Sequence, residues 1–202
     1  QDLAVLAGDV NLAFIQEASV QAGLSKAIKN PLYQTFAAGY ATSSQQTGVM
    51  TLSTTSPSGE CSFTSWEPWL GTPKATSVTE FPLAGREDRL LTINLHAVNF
   101  ALGLKELRQQ LRALAELLGQ HQGPVILAGD LNTWSGQRQT VVDNFTNEFG
   151  LGAIAFTPDL RTKVFGRALD HIYIRGLQAQ SAQAIPVSSS DHNPLRVRLA
   201  FN

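Results

Sequence analysis

The chain of 202 residues has one cysteine and no long apolar run. The lone Cys61 has no partner for an internal disulfide, so the fold is not a disulfide scaffold, and a cytoplasmic location is permitted and weakly favoured. No stretch approaches the roughly 20 apolar residues that a membrane-spanning helix needs. No signal-peptide pattern is present either. These absences exclude small disulfide-rich domains and helical membrane proteins.

Charge is also scarce, and neither sign dominates. Fifteen Lys and Arg residues face sixteen Asp and Glu residues, which gives a net charge of −1. The chain therefore lacks the overall positive charge of many nucleic-acid-binding proteins, and only a local patch could bind DNA or RNA. It has no Cys/His cluster with zinc spacing and no glycine-rich phosphate loop. The hydrophobic content of 43% and the length predict one globular domain over 1–202.

The apolar patterns predict more strands than helices. Strands are predicted at 11–18, 48–54, 74–83, 89–96, 124–130, 168–177, 182–188 and 194–201. Helices are predicted at 3–8, along a leucine face over 104–118 that stops at Gly119, and over 136–148 with Ser135 as its cap. The polar turn formers of 24–47 and 55–73 predict mostly loops there.

Most of these strands end in side chains capable of chemistry. They are Glu17, His96, Asp130 with Asn132, Asp170, and Asp191 with His192. Carboxylates from separate strands suit magnesium, which takes oxygen ligands and usually binds one or two protein carboxylates together with substrate phosphate. Histidines are poor magnesium ligands but can donate to a phosphate or protonate a leaving oxygen. The set predicts metal-assisted hydrolysis of a phosphate ester, with Mg²⁺ or Mn²⁺ as the cofactor.

Each candidate also has a purely structural interpretation. Asp130 and Asn132 belong to the residue types that shape turns. A single histidine such as His96 is often a hydrogen-bonded structural residue. The other carboxylates could be a solvated strand end, an edge-strand charge and a turn cap: Glu17, Asp170 and Asp191. The occurrence of all of them at strand ends of one chain favours a shared site.

Five motifs occur in the order found in a known family. The segments FIQEA, INLH, GDLN, LDHIYI and SDHNPL make the chain resemble the endonuclease/exonuclease/phosphatase family, whose members include deoxyribonuclease I. The resemblance runs from about residue 3 to residue 201. It implies an α/β (α+β) sandwich, in which two mixed, mostly antiparallel sheets pack face to face with flanking helices. It also implies a metal-dependent phosphoester hydrolase.

The resemblance assigns roles to the residues around the metal and the attacking water. By this likeness, Glu17 ligates the metal and Asp191 is a carboxylate close to it. Asp130 orients or deprotonates the attacking water. Asn132 helps to hold that water and the phosphate.

The resemblance also assigns the two histidines. His192 would donate to the scissile phosphate, and Asp170 would pair with His192 and fix its tautomer. His96 would lie near the leaving group. One position departs from the family pattern, because Leu95 stands where the family usually has threonine before the first histidine.

A second departure concerns the start of the domain. The family opens with a central strand that carries an asparagine at the metal site, whereas this chain starts at the following helix. We therefore expect the first strand to be missing and the metal to be weakly held. We also expect the chain to pair edge-to-edge with another chain or to rearrange its terminus.

The substrate stays open at this stage, because nucleases and phosphatases share the fold and the motifs. A nuclease or phosphodiesterase acting on DNA or RNA is favoured. The alternatives are a phosphatase for inositol or lipid phosphates, and a non-catalytic module that binds phosphate or nucleic acid. Three tryptophans could stack on bases, although core positions are the preferred interpretation: Trp66, Trp69 and Trp134.

Overall fold

The computed structural model describes residues 6, 8–19, 33–43, 45–68, 70–99 and 103–202. The strands of this part are β1 (Leu12–Ser19), β2 (Tyr33–Ala41), β3 (Gln46–Ser53), β4 (Gly59–Trp66), β5 (Pro73–Pro82), β6 (Arg89–His96), β7 (Val125–Asp130), β8 (Gly152–Ala153), β9 (Lys163–Val164), β10 (Arg167–Ala168), β11 (Asp170–Arg175), β12 (Leu177–Ala184) and β13 (Leu195–Phe201). Within these same residues, the helices of eight or more residues are α1 (Lys105–Gln120) and α2 (Gly136–Glu148). No helix of the described part is long and apolar enough to cross a membrane.

A six-stranded sheet in the order β4-β5-β6-β7-β11-β8 forms the centre of the molecule. Its strands pair antiparallel except for β6 and β7, which run parallel. A parallel pair needs a crossover connection, and α1 provides it between these two strands. The predicted hairpin of 74–83 and 89–96 is therefore present as β5 and β6, in the interior of this sheet.

Both helices pack on one face of the six-stranded sheet. The leucines of α1 recur at three- and four-residue steps and are buried against alternate residues of β6 and β7. The core of this face includes Leu107, Leu111, Leu114, Leu118, Ile93, Leu95, Val125, Leu127, Val142 and Phe145. Ser135 caps α2 as predicted, because its Oγ accepts a hydrogen bond of 3.3 Å from the backbone N–H of Arg138.

The opposite face of the same sheet carries a second β layer. A three-stranded sheet in the order β1-β3-β2 and the hairpin β12-β13 both contribute to it. Leu12 and Phe14 of β1, with Leu177 and Leu199 of β12 and β13, pack on the side chains that β6, β7 and β11 present on this face. The predicted α/β sandwich is confirmed, and within the described residues its second layer consists of two separate sheets.

An open cavity of about 1360 Å³ is lined by β1 on one side and β13 on the other. We call it the β1–β13 cavity. In the part of the chain that the structure describes, each of these strands pairs through one edge only, β1 with β3 and β13 with β12. The apolar floor of the cavity includes Ile126, Ala128 and Ile172 from the six-stranded sheet. Candidate site residues line it as well.

Several local predictions need correction. The segments predicted as mostly loop contain β2 and β4, which are edge strands and bury few side chains. Gly119 does not end α1, which continues to Gln120. The strand predicted at 182–188 begins earlier, at Leu177. Most of the predicted helix at 3–8 lies outside the described residues.

Candidate active site

The geometric basis of the site is a row of three residues across adjacent strands. His96 on β6 is the register partner of Asp130 on β7, and Asp130 is the register partner of Asp170 on β11. Because side chains alternate between the faces of a strand, the apolar residues two and four positions earlier on β7 show which face these groups share. Ile126 and Ala128 face the second β layer, so the row opens into the β1–β13 cavity.

Asp170 and His192 form a hydrogen-bonded pair. Nδ1 of His192 lies 2.7 Å from Oδ2 of Asp170, with Asp170 buried and His192 partly buried. The hydrogen bond to Asp170 raises the pKa of His192 to about 9, and the charges of Asp130 and Asp191 act in the same direction. The imidazole is therefore protonated at neutral pH, with Nδ1 donating to the carboxylate and Nε2 left as the other donor. This is the contact that the family resemblance predicts.

Asp130 is buried, and its neighbours shift its pKa in opposite directions. Burial, and then the neighbouring charge of Asp170, raise the pKa of Asp130 to about 6, against the lowering effects of Asn132, His192 and Lys74. Its Oδ1 accepts a hydrogen bond of 2.9 Å from the backbone N–H of Asn132. The carboxylate is thus ionised at neutral pH, and its pKa lies close enough to 7 for it to accept a proton as a general base.

Asn132 is held tightly in the turn after β7. Its backbone has a left-handed φ of +51°, which asparagine tolerates better than most residues. Its side-chain Nδ2 donates to the carbonyl oxygen of Ala97 at 2.9 Å, and this fixes the plane of the amide. Beneath it, the buried guanidinium of Arg138 donates through Nε to the carbonyl oxygen of Asn132 and through Nη2 to that of Val98.

His96 is a neutral ring in this site. Burial, and then the charges of Lys74 and His192, lower the pKa of His96 to about 3. Its Nε2 lies 3.1 Å from Nζ of Lys74 and 3.6 Å from Oδ2 of Asp130. Since an ammonium can only donate, Nε2 is the acceptor and the ring proton lies on Nδ1. The contact with Asp130 is accordingly not an ion pair at neutral pH.

The two predicted metal ligands lie at the exposed side of the site. Glu17 and Asp191 are solvent-exposed, and both line the β1–β13 cavity together with His96, Asp130 and Asp170. The register of β1 shifts between Ile15 and Ala18, and Glu17 has a left-handed φ of +54° at this bulge. Bulges of this kind redirect a side chain out of the regular alternation.

The donor set fits a hard divalent cation. The carboxylates that line the cavity offer only oxygen ligands, and Asp130 and Asp170 raise the local density of negative charge. Among the described residues, no three or more His, Cys, Asp or Glu side chains already form a metal-binding group. Magnesium usually takes only one or two protein carboxylates and keeps several waters, so such a preformed cage is not required.

Sequence reasoning missed several polar residues of the site. Gln16 donates through Nε2 to Oδ1 of Asn94 at 2.6 Å and so ties β1 to β6 near the row. Arg138 and Lys74 were also missed. The position of Arg138 in the first turn of α2, soon after GDLN, was the one signal that could have suggested a role for it.

The two tryptophans that the structure describes, Trp66 and Trp134, are less buried than predicted. Trp66, at the end of β4, is 63% exposed, so its interpretation as a core residue is wrong. Trp134 is partly buried and donates from Nε1 to Oδ1 of Asn99. Its ring meets that of Phe165 edge-on, with the centroids 6.4 Å apart, and Phe165 is 85% exposed. Trp69 lies outside the described residues.

Comparison with known sequences adds a family to this geometry. The sequence model of the endonuclease/exonuclease/phosphatase family matches residues 3–192. A UPF0294 protein of Vibrio vulnificus is 38% identical over 197 residues, which cover 96% of this chain and 69% of that protein. A UPF0294 protein of Erwinia tasmaniensis is 39% identical over 190 residues, which cover 94% of this chain and 70% of that protein.

Several solved structures share this architecture, although their sequences have low identity to this chain. A family protein from Leptotrichia buccalis superposes with a TM-score of 0.73 at 13% identity, over 98% of this chain and 90% of that one. The mannosyl-6-phosphatase Bt3783 of Bacteroides thetaiotaomicron gives 0.68 at 18% identity, over 98% and 88%. A beta toxin of Staphylococcus aureus with bound magnesium ions gives 0.64 at 14% identity, over 97% and 91%.

Proposed function

Since the chain belongs to the endonuclease/exonuclease/phosphatase family, we propose that it is a metal-dependent phosphoester hydrolase that cleaves phosphodiesters of DNA or RNA. The observation that carries the proposal is the row of His96, Asp130 and Asp170, with a protonated His192 paired to its end. A base and a cationic acid face one cavity there, which is the arrangement that attack of water on a phosphate requires.

The side chains divide the reaction between them. Asp130 accepts a proton from the attacking water, which Asn132 helps to orient through its fixed amide. His192 donates from Nε2 to a phosphate oxygen, and Asp170 keeps the ring oriented for that donation. Glu17 and Asp191 would hold Mg²⁺ or Mn²⁺. The bound cation would offset negative charge on the non-bridging oxygens.

Exposed aromatic side chains favour a diester substrate. Trp134 comes two residues after Asn132, and its ring contacts that of Phe165, which is largely exposed, as is Trp66 at the end of β4. Base stacking on aromatic rings contributes about 1–3 kcal/mol per base and tolerates any sequence. Such stacking would supply nucleic-acid affinity that the net charge of −1 does not. The similarity to a mannosyl-6-phosphatase keeps a phosphatase as the second candidate.

A substrate panel tests the proposal. The full-length protein is assayed with Mg²⁺, Mn²⁺ or Zn²⁺, or with a chelator, on plasmid DNA, RNA, bis(p-nitrophenyl) phosphate and inositol phosphates. We expect cleavage of the nucleic acids and the diester with Mg²⁺ or Mn²⁺, and not with Zn²⁺. The Asp130→Asn variant controls for contaminating nuclease. Activity that survives the chelator would rule out metal-assisted hydrolysis, and hydrolysis of monoesters alone would favour the phosphatase.

A further inference from the structure

Lys74 is a charged group that contacts the site through His96, from a strand outside the motifs. It lies on β5, two residues before Thr76, which pairs with Leu95 next to His96. Its Nζ reaches Nε2 of His96 at 3.1 Å, and the side chain is partly buried. Its charge also contributes to lowering the pKa of both His96 and Asp130. The ammonium therefore belongs to the electrostatic environment of the row.

This ammonium has a neutral partner where a lysine usually has a carboxylate. In the described part of the chain, no carboxylate oxygen lies within the ion-pair distance of 4.0 Å from Nζ of Lys74. His96 accepts a hydrogen bond from one of the three N–H donors of Lys74 and so orients the ammonium, but the neutral ring cannot neutralise its charge. Asp130 acts on this partly desolvated cation through its charge without a direct ion pair, so an anionic ligand can still bind the free donors of Lys74. A phosphate offers both negative charge and acceptor oxygens for them.

We propose that Lys74 is a catalytic residue, whose ammonium is aimed by His96 and donates a hydrogen bond to an oxygen of the phosphate group under attack. The inference rests on the proposed function, because it takes the substrate to be a phosphoester. Lys74 then approaches the row from β5 and His192 from the segment before β13, and each supplies one cationic donor. His96 serves as the positioning residue for Lys74.

The neutral ring of His96 explains why a second cation is useful. A protonated His96 would bring its own donor to the phosphate, but its Nε2 is already an acceptor in this structure. Because His96 is neutral, a positive charge near the phosphate at this place must come from another residue that can reach it. Lys74 meets that condition, and its charge grows more effective as substrate displaces water from the site.

The test combines phosphate binding with turnover in the full-length protein. Lys74→Met removes the charge and keeps the length, Lys74→Arg restores a charge, and Lys105→Met is the matched control. Lys105 is exposed at the first turn of α1, on the helix-covered side of the sheet. Binding of inorganic phosphate is measured by calorimetry, kcat and KM on a diester, and folding by thermal melting.

We expect Lys74→Met to weaken phosphate binding at least about 10-fold and to lower kcat/KM about 100-fold, a loss typical of removing one transition-state donor. Lys74→Arg should recover part of both, Lys105→Met should match the wild type, and ethylammonium should partly restore the activity of Lys74→Ala. The rescues show that a positive charge at this place is needed, since a general folding defect would not respond to them. The binding of inorganic phosphate distinguishes a charge that touches phosphate from one that only supports His96, because loss of support for His96 would lower kcat and leave phosphate affinity unchanged.

The outcomes separate this inference from the proposed function. If the wild type hydrolyses diesters and Lys74→Met retains its phosphate affinity and kcat/KM, Lys74 has no such role while the hydrolase proposal stands. If the wild type binds phosphate through Lys74 but hydrolyses no ester, the hydrolase proposal fails and Lys74 remains an anion-binding residue. A wild type that binds no phosphate overturns the inference.

Discussion

Asp170 illustrates how a single residue acts on the site through the group that it holds. Its carboxylate lies at the end of the row, and its 2.7 Å contact with Nδ1 of His192 decides both the charge and the orientation of that imidazole. It also raises the pKa of Asp130 across one strand spacing. The buried carboxylate of Asp170 thus keeps His192 protonated as an acid and brings the nearby Asp130 closer to the pKa of a useful base.

Asp170→Asn should lower kcat/KM by roughly 100-fold or more, because a neutral amide no longer holds a protonated, oriented imidazole. The pKa of His192, followed by its ring NMR signals, should fall from about 9 toward the ordinary value. Asp88→Asn is the control, since Asp88 pairs with Arg86 at the surface, away from the row. An unchanged His192 titration would show that the pairing does not set the charge of the ring.

The pH dependence should reveal Asp130 as the base. Its carboxylate must be ionised to accept a proton, and its pKa is raised to about 6, so kcat/KM should fall as the pH drops through about 6. The groups that face it are Asp170, His96, His192 and Lys74. The measurement is kcat/KM against pH at fixed metal concentration. An acid limb near pH 4, where an ordinary aspartate titrates, would contradict the assignment.

The predictability of the site from sequence followed from where each residue lies. Glu17, Asp130 and Asp170 stand at the ends of apolar runs, and a polar residue at such a position is conspicuous. Lys74 is one polar residue in an alternating strand, where solvent-facing lysines are common. Its contact with His96 depends on the reach of a long side chain and on the pairing of β5 with β6. Neither is written in the local pattern.

At the scale of elements, burial decided which strands the sequence could predict. The interior strands β6 and β7 bury nearly every residue, and their apolar runs are unmistakable. The edge strands β2 and β4 bury one side chain and none respectively, so they carry no hydrophobic period that separates them from a polar loop. The helix α1 was predictable for the opposite reason, because a whole leucine face packs on the sheet.

Gly129 tests how strictly the parallel pair β6–β7 sets the row. A Cβ at this position would lie 1.9 Å from the carbonyl oxygen of Leu95, and the backbone φ is +149°. Gly129→Ala should therefore cost at least about 1–3 kcal/mol in free energy of unfolding, measured with urea, and should impair activity by shifting His96 against Asp130. Gly119→Ala in α1, with its nearest neighbour at 4.0 Å, should instead be neutral or stabilising by up to about 1 kcal/mol. Equal stability of the two variants would argue against a close fit of β6 and β7.

At the scale of the whole molecule, the sandwich was predictable but the division of its second layer was not. The alternation of β1, β12 and β13 says that each strand has one buried face, and nothing in it says which strand lies beside which. Among the described residues, β1 and β13 each leave one edge without a paired strand, and these edges lie on either side of one cavity, over an apolar floor of Ile126, Ala128 and Ile172. A strand at this place would satisfy both edges and cover the floor.

The last prediction follows from these two edges. Residues 1–202 alone should associate through them, whereas a version extended upstream by about 20 residues, enough for a strand of roughly 5–6 residues and its connection, should be monomeric. The extended version should also protect the amides of β1 and β13 from hydrogen exchange, because a ladder of hydrogen bonds forms at each edge. Amides of β7, paired on both sides in either version, provide the internal reference. Metal affinity, measured by calorimetry with Mg²⁺ and Mn²⁺, should rise in the extended version. The family's first strand carries an asparagine at the metal site, and the cavity that this strand would fill is lined by Glu17, Asp130 and Asp191. Equal exchange, equal metal affinity and a stable monomer in both versions would mean that the cavity is complete without a further strand.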